Sequence, residues 1–226
     1  MANMEGFLIE NTFKIKEVMK KNLIFRIRNK INNGLFMHGL ISRFQRIGIE
    51  IKPYYWEREF VKPCESPIVK GDSSEYSIKK FGPEEIKYLC SNGFEYNEKE
   101  KLEDLKNGQL WIGLIHNKKI AAYSWIQLKE VKFRDVTIKL SSSQAYLGGM
   151  FTIESYRGKN LAPFLRYSIY KYLNEMDRDE FYSITDYYNY SSLKFKRKLN
   201  SKHVKIHLYF NLFRKYHWNF VLKNYD

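Results

Sequence analysis

The residue types that could do chemistry are densest in Met150-Phe-Thr-Ile-Glu-Ser-Tyr-Arg-Gly-Lys-Asn-Leu-Ala-Pro163, followed by an amphipathic run to Met176. The pattern reads as a buried strand, a tight basic turn and a helix whose first turn carries no acidic residue. Backbone N–H groups at a helix start lack intrahelical partners, and the helix dipole adds partial positive charge there. Such a strand–turn–helix suits a phosphate or pyrophosphate. Arg157 and Lys159 add mobile positive charge, and Gly158 permits close backbone approach. The competing reading is an ordinary strand-to-helix turn with two solvated cations.

A second group of residues stands downstream: Asn189-Tyr-Ser-Ser192-Leu-Lys-Phe-Lys-Arg-Lys-Leu199-Asn200. Together the two segments resemble the GNAT superfamily of acyl-CoA-dependent N-acyltransferases. That family's cofactor signature is Arg/Gln-x-x-Gly-x-Gly/Ala, and here it stands as Arg157-Gly158-Lys159-Asn160-Leu161-Ala162. Asn160 replaces the middle glycine, and asparagine tolerates positive φ better than other non-glycine residues. The second segment resembles the family's Asn-x-x-Ala/Ser-x-x-hydrophobic-Tyr-x-x-Leu-Gly helix. The resemblance covers residues 75–226.

The resemblance implies acetyl-CoA as cofactor and acyl transfer to a primary amine. Backbone groups of Met150, Phe151 and Thr152 would pair with the pantetheine arm in a gap between two strands. Amides from Gly158, Lys159, Asn160, Leu161 and Ala162 would hold the pyrophosphate; Pro163, without an N–H, would shape the loop. Asn189 and Ser192 would contact the arm, and Asn189 also fits the N-cap of the following helix. The family's usual tyrosine acid falls at Lys196, which either steadies a departing thiolate by its charge or belongs to a solvated helix face. For the base, Asp186 and then Tyr188 sit at a strand end on one face, with Glu154 as a third candidate. His116, His203 and His207 show no metal-ligand spacing and read as hairpin and surface histidines, so no metal is expected.

Composition bounds these readings. The chain has 226 residues, 44% hydrophobic and 17% aromatic, which excludes general disorder. Two cysteines, Cys64 and Cys90, are too few for a disulfide framework and point to a reduced cytoplasmic setting. Neither a signal-peptide h-region nor an apolar run long enough to span a membrane is expected. The net charge is +14; residues 187–226 carry nine Lys/Arg against one acid, whereas residues 1–75 carry 13 against nine. Positive charge is therefore concentrated near the second segment. Its anionic partner could be coenzyme A, a nucleotide-linked substrate, an anionic membrane or, least favoured, nucleic acid.

These residues need elements to position them. Residues 13–31 place Ile15, Met19, Leu23, Ile27 and Ile31 four apart on one helical stripe, which docks on the protein or lies on an anionic membrane. Residues 35–60 read as mixed structure ending in Tyr54-Tyr55-Trp56, and residues 63–74 as a linker rich in Pro, Gly and Ser. Strands are expected at 75–81, 110–115, 120–128, 136–140, 145–153 and 180–186, with a hairpin at 205–213 and 218–223. Helices are expected at 83–91, 97–106, 161–174 and 191–199, the third with its stripe through Leu161, Leu165, Ile169 and Leu173. The expected fold is thus α/β: a GNAT-like twisted mixed sheet with helices on both faces over 75–226, after a helical or mixed extension over 1–74.

Three functions follow. The first is acetylation of an amino group on a nucleotide-linked sugar for surface polysaccharide synthesis, suggested by the two-part layout and the aromatic, basic composition. The second is acylation of a peptide, polyamine or other metabolite amine. The third is a silent module of the same fold that binds membrane or nucleic acid.

Overall fold

A computed structural model describes residues 43–44, 47–60, 62–92, 96–134 and 136–225. The stripe expected over residues 13–31 lies outside them. Ten strands are present among the described residues: β1 (Ile49–Glu59), β2 (Tyr76–Lys80), β3 (Leu110–His116), β4 (Lys119–Gln127), β5 (Glu130–Phe133), β6 (Val136–Lys139), β7 (Gln144–Thr152), β8 (Glu180–Asp186), β9 (Lys202–Leu212) and β10 (Tyr216–Asn224). The α-helices whose bounds fall among the described residues are α1 (Pro83–Ser91), α2 (Glu98–Lys106), α3 (Leu161–Asn174) and α4 (Tyr190–Lys198). Eight strands form one sheet in the order β10-β9-β1-β8-β7-β4-β3-β2, and β5 pairs with β6 as a separate two-stranded sheet. The expected strand at 136–140 is therefore β6, and its partner β5 and the long β1 are additions to the expectation. The mixed α/β architecture itself is as expected. Among the described residues no helix is long and apolar enough to cross a membrane.

The chain divides into two compact units. The smaller contains the described residues up to Tyr54, Asp186–Ser191 and His207–Phe220; the larger contains those of Tyr55–Thr185, Ser192–Ile206 and from Val221 onward. In the smaller unit the Tyr54 ring stacks on His207 at 4.9 Å between centroids. The Tyr187 amide donates to the Pro53 carbonyl at 3.0 Å.

The larger unit has two cores because β3 and β4 are buried on both faces. One face packs against α3: Leu161, Leu165, Ile169 and Leu173 are at most 1% exposed and meet Leu114, Ile126, Leu147 and Phe181. The four-residue spacing of that stripe is what makes the helix a lid on the sheet. The other face packs Phe81, Trp111, Ile120 and Tyr123 against Ile86 and Leu89 of α1. Pro83 opens α1, where its missing N–H costs nothing, and the Glu85 carboxylate accepts the Gly82 amide at 2.8 Å.

Candidate active site

β7 is the strand on which the site turns. On one side it pairs with antiparallel β4, but the register shifts: Tyr123 faces Phe151, and Trp125 faces Gly148. Gly149 and Met150 therefore oppose Ser124 alone, a bulge that Gly149 accommodates at φ +51°. Trp125 fixes which residues can stand there, because its indole lies against the backbone. A Cβ would meet it at 2.3 Å from Gly148 and at 2.1 Å from Gly149. Ser124 Oγ donates to the Gly148 carbonyl at 2.7 Å and pins the bulge.

On its other side β7 pairs in parallel with β8 at Gln144–Glu180, Ala145–Phe181 and Tyr146–Tyr182. Beyond Tyr146 and Tyr182 the two strands share no register pair among the described residues. The backbone of β7 from Leu147 to Thr152 thus faces a stretch of β8 with which it makes no ladder. Such an opening leaves strand N–H and C=O groups to be satisfied by something else.

At the end of β7 a single-turn helix, Glu154–Tyr156, leads into the basic turn. Gly158 has φ +82°, and Asn160 occupies the left-handed region at φ 65°, ψ 25°. Asparagine thus holds a backbone conformation that favours glycine. Its side chain does not cap α3; instead its Nδ2 donates to the Ile68 carbonyl at 2.7 Å. The Lys70 amide donates to the Lys159 carbonyl at 2.9 Å. The segment expected to be a linker is thereby stitched to the turn.

The start of α3 opens on a cleft of about 320 Å³ lined by Thr152, Tyr156, Arg157, Gly158, Asn160, Leu161, Ala162, Pro163, Lys70 and Lys198. Three cations and no carboxylate line it, and the first turn of α3 holds no acid. Nothing lies within 4 Å of where a Gly158 Cβ would stand, so the backbone is open to an approaching group. Arg157 is braced by its Nε donating to the Thr152 carbonyl at 3.3 Å and by Glu154 at 3.9 Å. Lys159 turns away, its Nζ 3.4 Å from the Tyr76 hydroxyl. Six of the residues expected at the diphosphate, Arg157, Gly158, Asn160, Leu161, Ala162 and Pro163, meet here, and Lys159 does not join them. Lys70 and Lys198 were not among those expected, since Lys70 lay in the presumed linker and Lys198 in a run of similar cations.

The second charged centre is buried. Lys196 is 3% exposed, which excludes a solvated helix face. Its Nζ lies 2.8 Å from Glu57 Oε2 and 3.4 Å from Glu59 Oε1, and donates to Ser183 Oγ at 2.6 Å and to Thr185 Oγ1. Arg166 Nε stands 3.5 Å from Glu59, and the Tyr170 hydroxyl donates to Glu59 at 2.5 Å. Thr185 donates to Glu57 at 2.5 Å. Two carboxylates thus face the side chains of Lys196 and Arg166. Burial alone would raise the Glu57 carboxyl, but the His203 hydrogen bond and the Lys196 ammonium outweigh it and bring it to about 2. Burial likewise opposes ionisation of Glu59, and the charges of Arg166 and Lys196 reverse that and hold it below its ordinary 4.5. Burial, with the neighbouring Glu59 charge, pushes the Tyr170 hydroxyl well above 10.

This network has a structural consequence at the opening. Ser183 and Thr185 belong to the stretch of β8 that has left β7, and Lys196 ties both of them to the carboxylates of β1. His203, read as a surface histidine, is stacked on Tyr55 at 3.9 Å with Nδ1 3.4 Å from Glu57. Local signal for the network exists only in Glu57 and Glu59, two acids two apart on one face of a strand.

The remaining candidates sit apart from these centres. Glu154 is on the exposed turn, its side chain 91% exposed and aimed at Arg157. Met150 and Phe151 are half-buried on β7, and the Phe151 ring stacks on Tyr123 at 5.6 Å. Asp186, Tyr188 and Asn189 belong to the smaller unit. β8 ends at Asp186, so Tyr188 lies in the following turn and not on the strand. Asn189 directly precedes α4 and its Oδ1 accepts from the Ser191 hydroxyl at 2.9 Å. Ser192 is half-buried in the first turn of α4. His116 Nδ1 and the Tyr156 hydroxyl are 3.2 Å apart.

No family model matches the sequence, and no curated protein matches it. The fold does match solved structures of the GNAT family. One is an acetyltransferase from Colwellia psychrerythraea, at 15% identity and TM-score 0.53 over 74% of this chain and 59% of that one. A GNAT-family protein from Novosphingobium aromaticivorans matches at 15% identity and TM-score 0.51, over 73% and 66%. A tandem GNAT protein from the clavulanic acid biosynthesis pathway matches at 12% identity and TM-score 0.51, over 78% and 55%. This chain spans between 55 and 66% of the length of these three proteins. At such identities the likeness establishes the fold: the chain is similar to GNAT-family acetyltransferases in architecture.

Proposed function

We propose that this protein is an acyl-CoA-dependent N-acyltransferase that uses acetyl-CoA to acylate a primary amine. The observation that carries the reading is the shared position of Thr152. It ends the β7 segment that makes no ladder with β8, and it lines the cleft where α3 begins beside Lys70, Arg157 and Lys198, with no carboxylate in the lining. That donor set fits a diphosphate, and the opening fits an extended arm that completes the β7 edge. When bound, acetyl-CoA supplies the activated acyl group and a thiolate leaving group.

The chain's own residues then have distinct tasks. The amides of Leu161 and Ala162, with the three cations, hold the diphosphate; Pro163 contributes shape. Met150, Phe151 and Thr152 offer backbone groups to the arm, and Asn189 and Ser192 side chains steady it. Asp186 accepts the proton of the incoming amine, with Tyr188 and Glu154 as the alternative acceptors. Lys196 acts through β8, because its ammonium is committed to Glu57, Glu59, Ser183 and Thr185. Most of the acceleration comes from positioning.

For the amine we favour an amino group on a nucleotide-linked sugar of surface polysaccharide synthesis, on the strength of the resemblance and of the aromatic and basic composition. Peptides and polyamines are the competing acceptors. The free cysteines Cys64 and Cys90 fit a reducing cytoplasm. The decisive assay follows thiol release from acetyl-CoA across amino sugars, nucleotide-linked amino sugars, polyamines and peptides. Release with one class supports the reading. CoA binding without release for any amine favours a silent module, and affinity for duplex DNA or anionic vesicles that falls steeply with salt would identify its partner.

A further inference from the structure

The larger unit has a second opening, of about 570 Å³, between α2, the start of β3, the end of β4 and β5. It lies within the ~300–1,000 Å³ range of small-molecule sites. Its charge differs from that of the cleft at α3. Three carboxylates and three ammonium groups line it, and Lys101 is paired with Glu100 at 2.7 Å and with Asp104 at 2.8 Å. Balanced, paired charges exert little field on a polyanion, so this opening is not a second phosphate site.

What it does offer is an aromatic side chain and hydrogen-bonding groups of both senses. Trp125 lines it with its indole, and Asn107 and Gln127 bring carboxamides that both donate and accept. An aromatic face beside carboxamides and carboxylates matches a ligand with one flat C–H face, several hydroxyls and at most one positive charge. A hexosamine ring has that description. Position supports the match: the same Trp125 indole lies on Gly148 and Gly149, within the β7 segment beyond its last pair with β8 at Tyr146. A ring held against Trp125 therefore stands beside the strand segment that borders the opening.

We propose that this cleft binds the amino-sugar ring of the acceptor, with Trp125 as its stacking wall and Asn107 and Gln127 as specificity-determining residues; this rests on the acyltransferase reading. The test uses glucosamine as probe and spermidine, a cationic amine without ring or hydroxyls, as comparator. In thiol-release assays, Asn107→Ala or Gln127→Ala should lower the kcat/KM ratio of glucosamine to spermidine about tenfold, the effect of one lost hydrogen bond of good geometry. Trp125→Phe should lower it less than Trp125→Ala, with CoA affinity as the control for folding. Independently of turnover, glucosamine should change tryptophan emission saturably, and Trp125→Phe should abolish that change. Equal losses for both amines, or no emission change with glucosamine, overturn the proposal while leaving acyl transfer standing. Absence of CoA binding would instead overturn the acyltransferase reading.

Discussion

Two groups of cations in the larger unit are treated in opposite ways. Lys196 and Arg166 are sealed from water, each within ion-pair distance of a carboxylate. Lys70, Arg157 and Lys198 line an open cleft whose lining holds no carboxylate, and Glu154, 3.9 Å from Arg157, is itself exposed to water. Burying four charges carries a desolvation cost of several kcal/mol per ion before pairing offsets it. Leaving three cations with no carboxylate in the lining costs little in water but creates a site that attracts anions. The chain's net charge of +14 distinguishes neither role; what decides is whether β1 supplies an acid opposite the cation. The first group holds the fold at the opening, and the second is available to a ligand.

The sharpest way to break this contrast is Lys196→Met. Glu57 and Glu59 would then stay buried with too little positive charge, at a cost of about 3–5 kcal/mol. For a chain of this size that lowers Tm by roughly 10 °C. A thermal melt showing a drop of a degree or two would mean the network is not the clamp described. Adding Glu57→Gln to Lys196→Met should recover part of the loss, since the pair is coupled.

Acid should attack the same group selectively. Glu57 titrates near 2 in the fold and near 4.5 when unfolded, so between those values the unfolded chain binds more protons. Its contribution is therefore complete above about pH 4.5 and disappears as pH falls towards 2. Denaturant midpoints measured from pH 6 to 3 should decline, and Glu57→Gln should decline less steeply. Parallel slopes would contradict the assignment.

Asn160 sharpens the comparison from the cleft side. Asn160→Ala places a Cβ residue without a local hydrogen-bonding side chain in the left-handed region and removes the bond to Ile68, a loss of about 2 kcal/mol. Asn160→Gly relieves the backbone and loses only the bond, so chemical denaturation should rank it nearer the parent chain. Smallest in stability are Arg157→Ala and Lys198→Ala. Each should leave the denaturation midpoint within about 0.5 kcal/mol of the parent and weaken CoA binding severalfold, measured by calorimetry at constant salt.

Much of the larger unit was legible in the residues alone. The stripe through Leu161, Leu165, Ile169 and Leu173 located α3, Pro83 marked the start of α1, and the Asn-Lys-Lys turn located the β3–β4 hairpin. β1 escaped because its run, Ile49–Glu59, mixes acids, bases and aromatics; the acids Glu57 and Glu59 face inward only because α4 and α3 bring cations to meet them. The turn at 157–163 was visible from spacing. Lys70 was not, since its place depends on contacts between Ile68–Lys70 and Lys159–Asn160 that no local pattern encodes. For the same reason Lys196, amid Lys194, Arg197 and Lys198, could not be told from a lysine on a solvated helix face.

The most direct measurement is calorimetric titration of CoA into the parent chain and into Ala162→Asp. An aspartate in the first turn of α3 favours the helix by ~0.3–1 kcal/mol through its dipole, yet places negative charge in the cleft. The account predicts saturable binding to the parent chain and affinity at least about tenfold weaker in the variant, with Tm equal or higher. Equal affinity in both proteins, or no binding to the parent, would contradict a diphosphate seat at the start of α3.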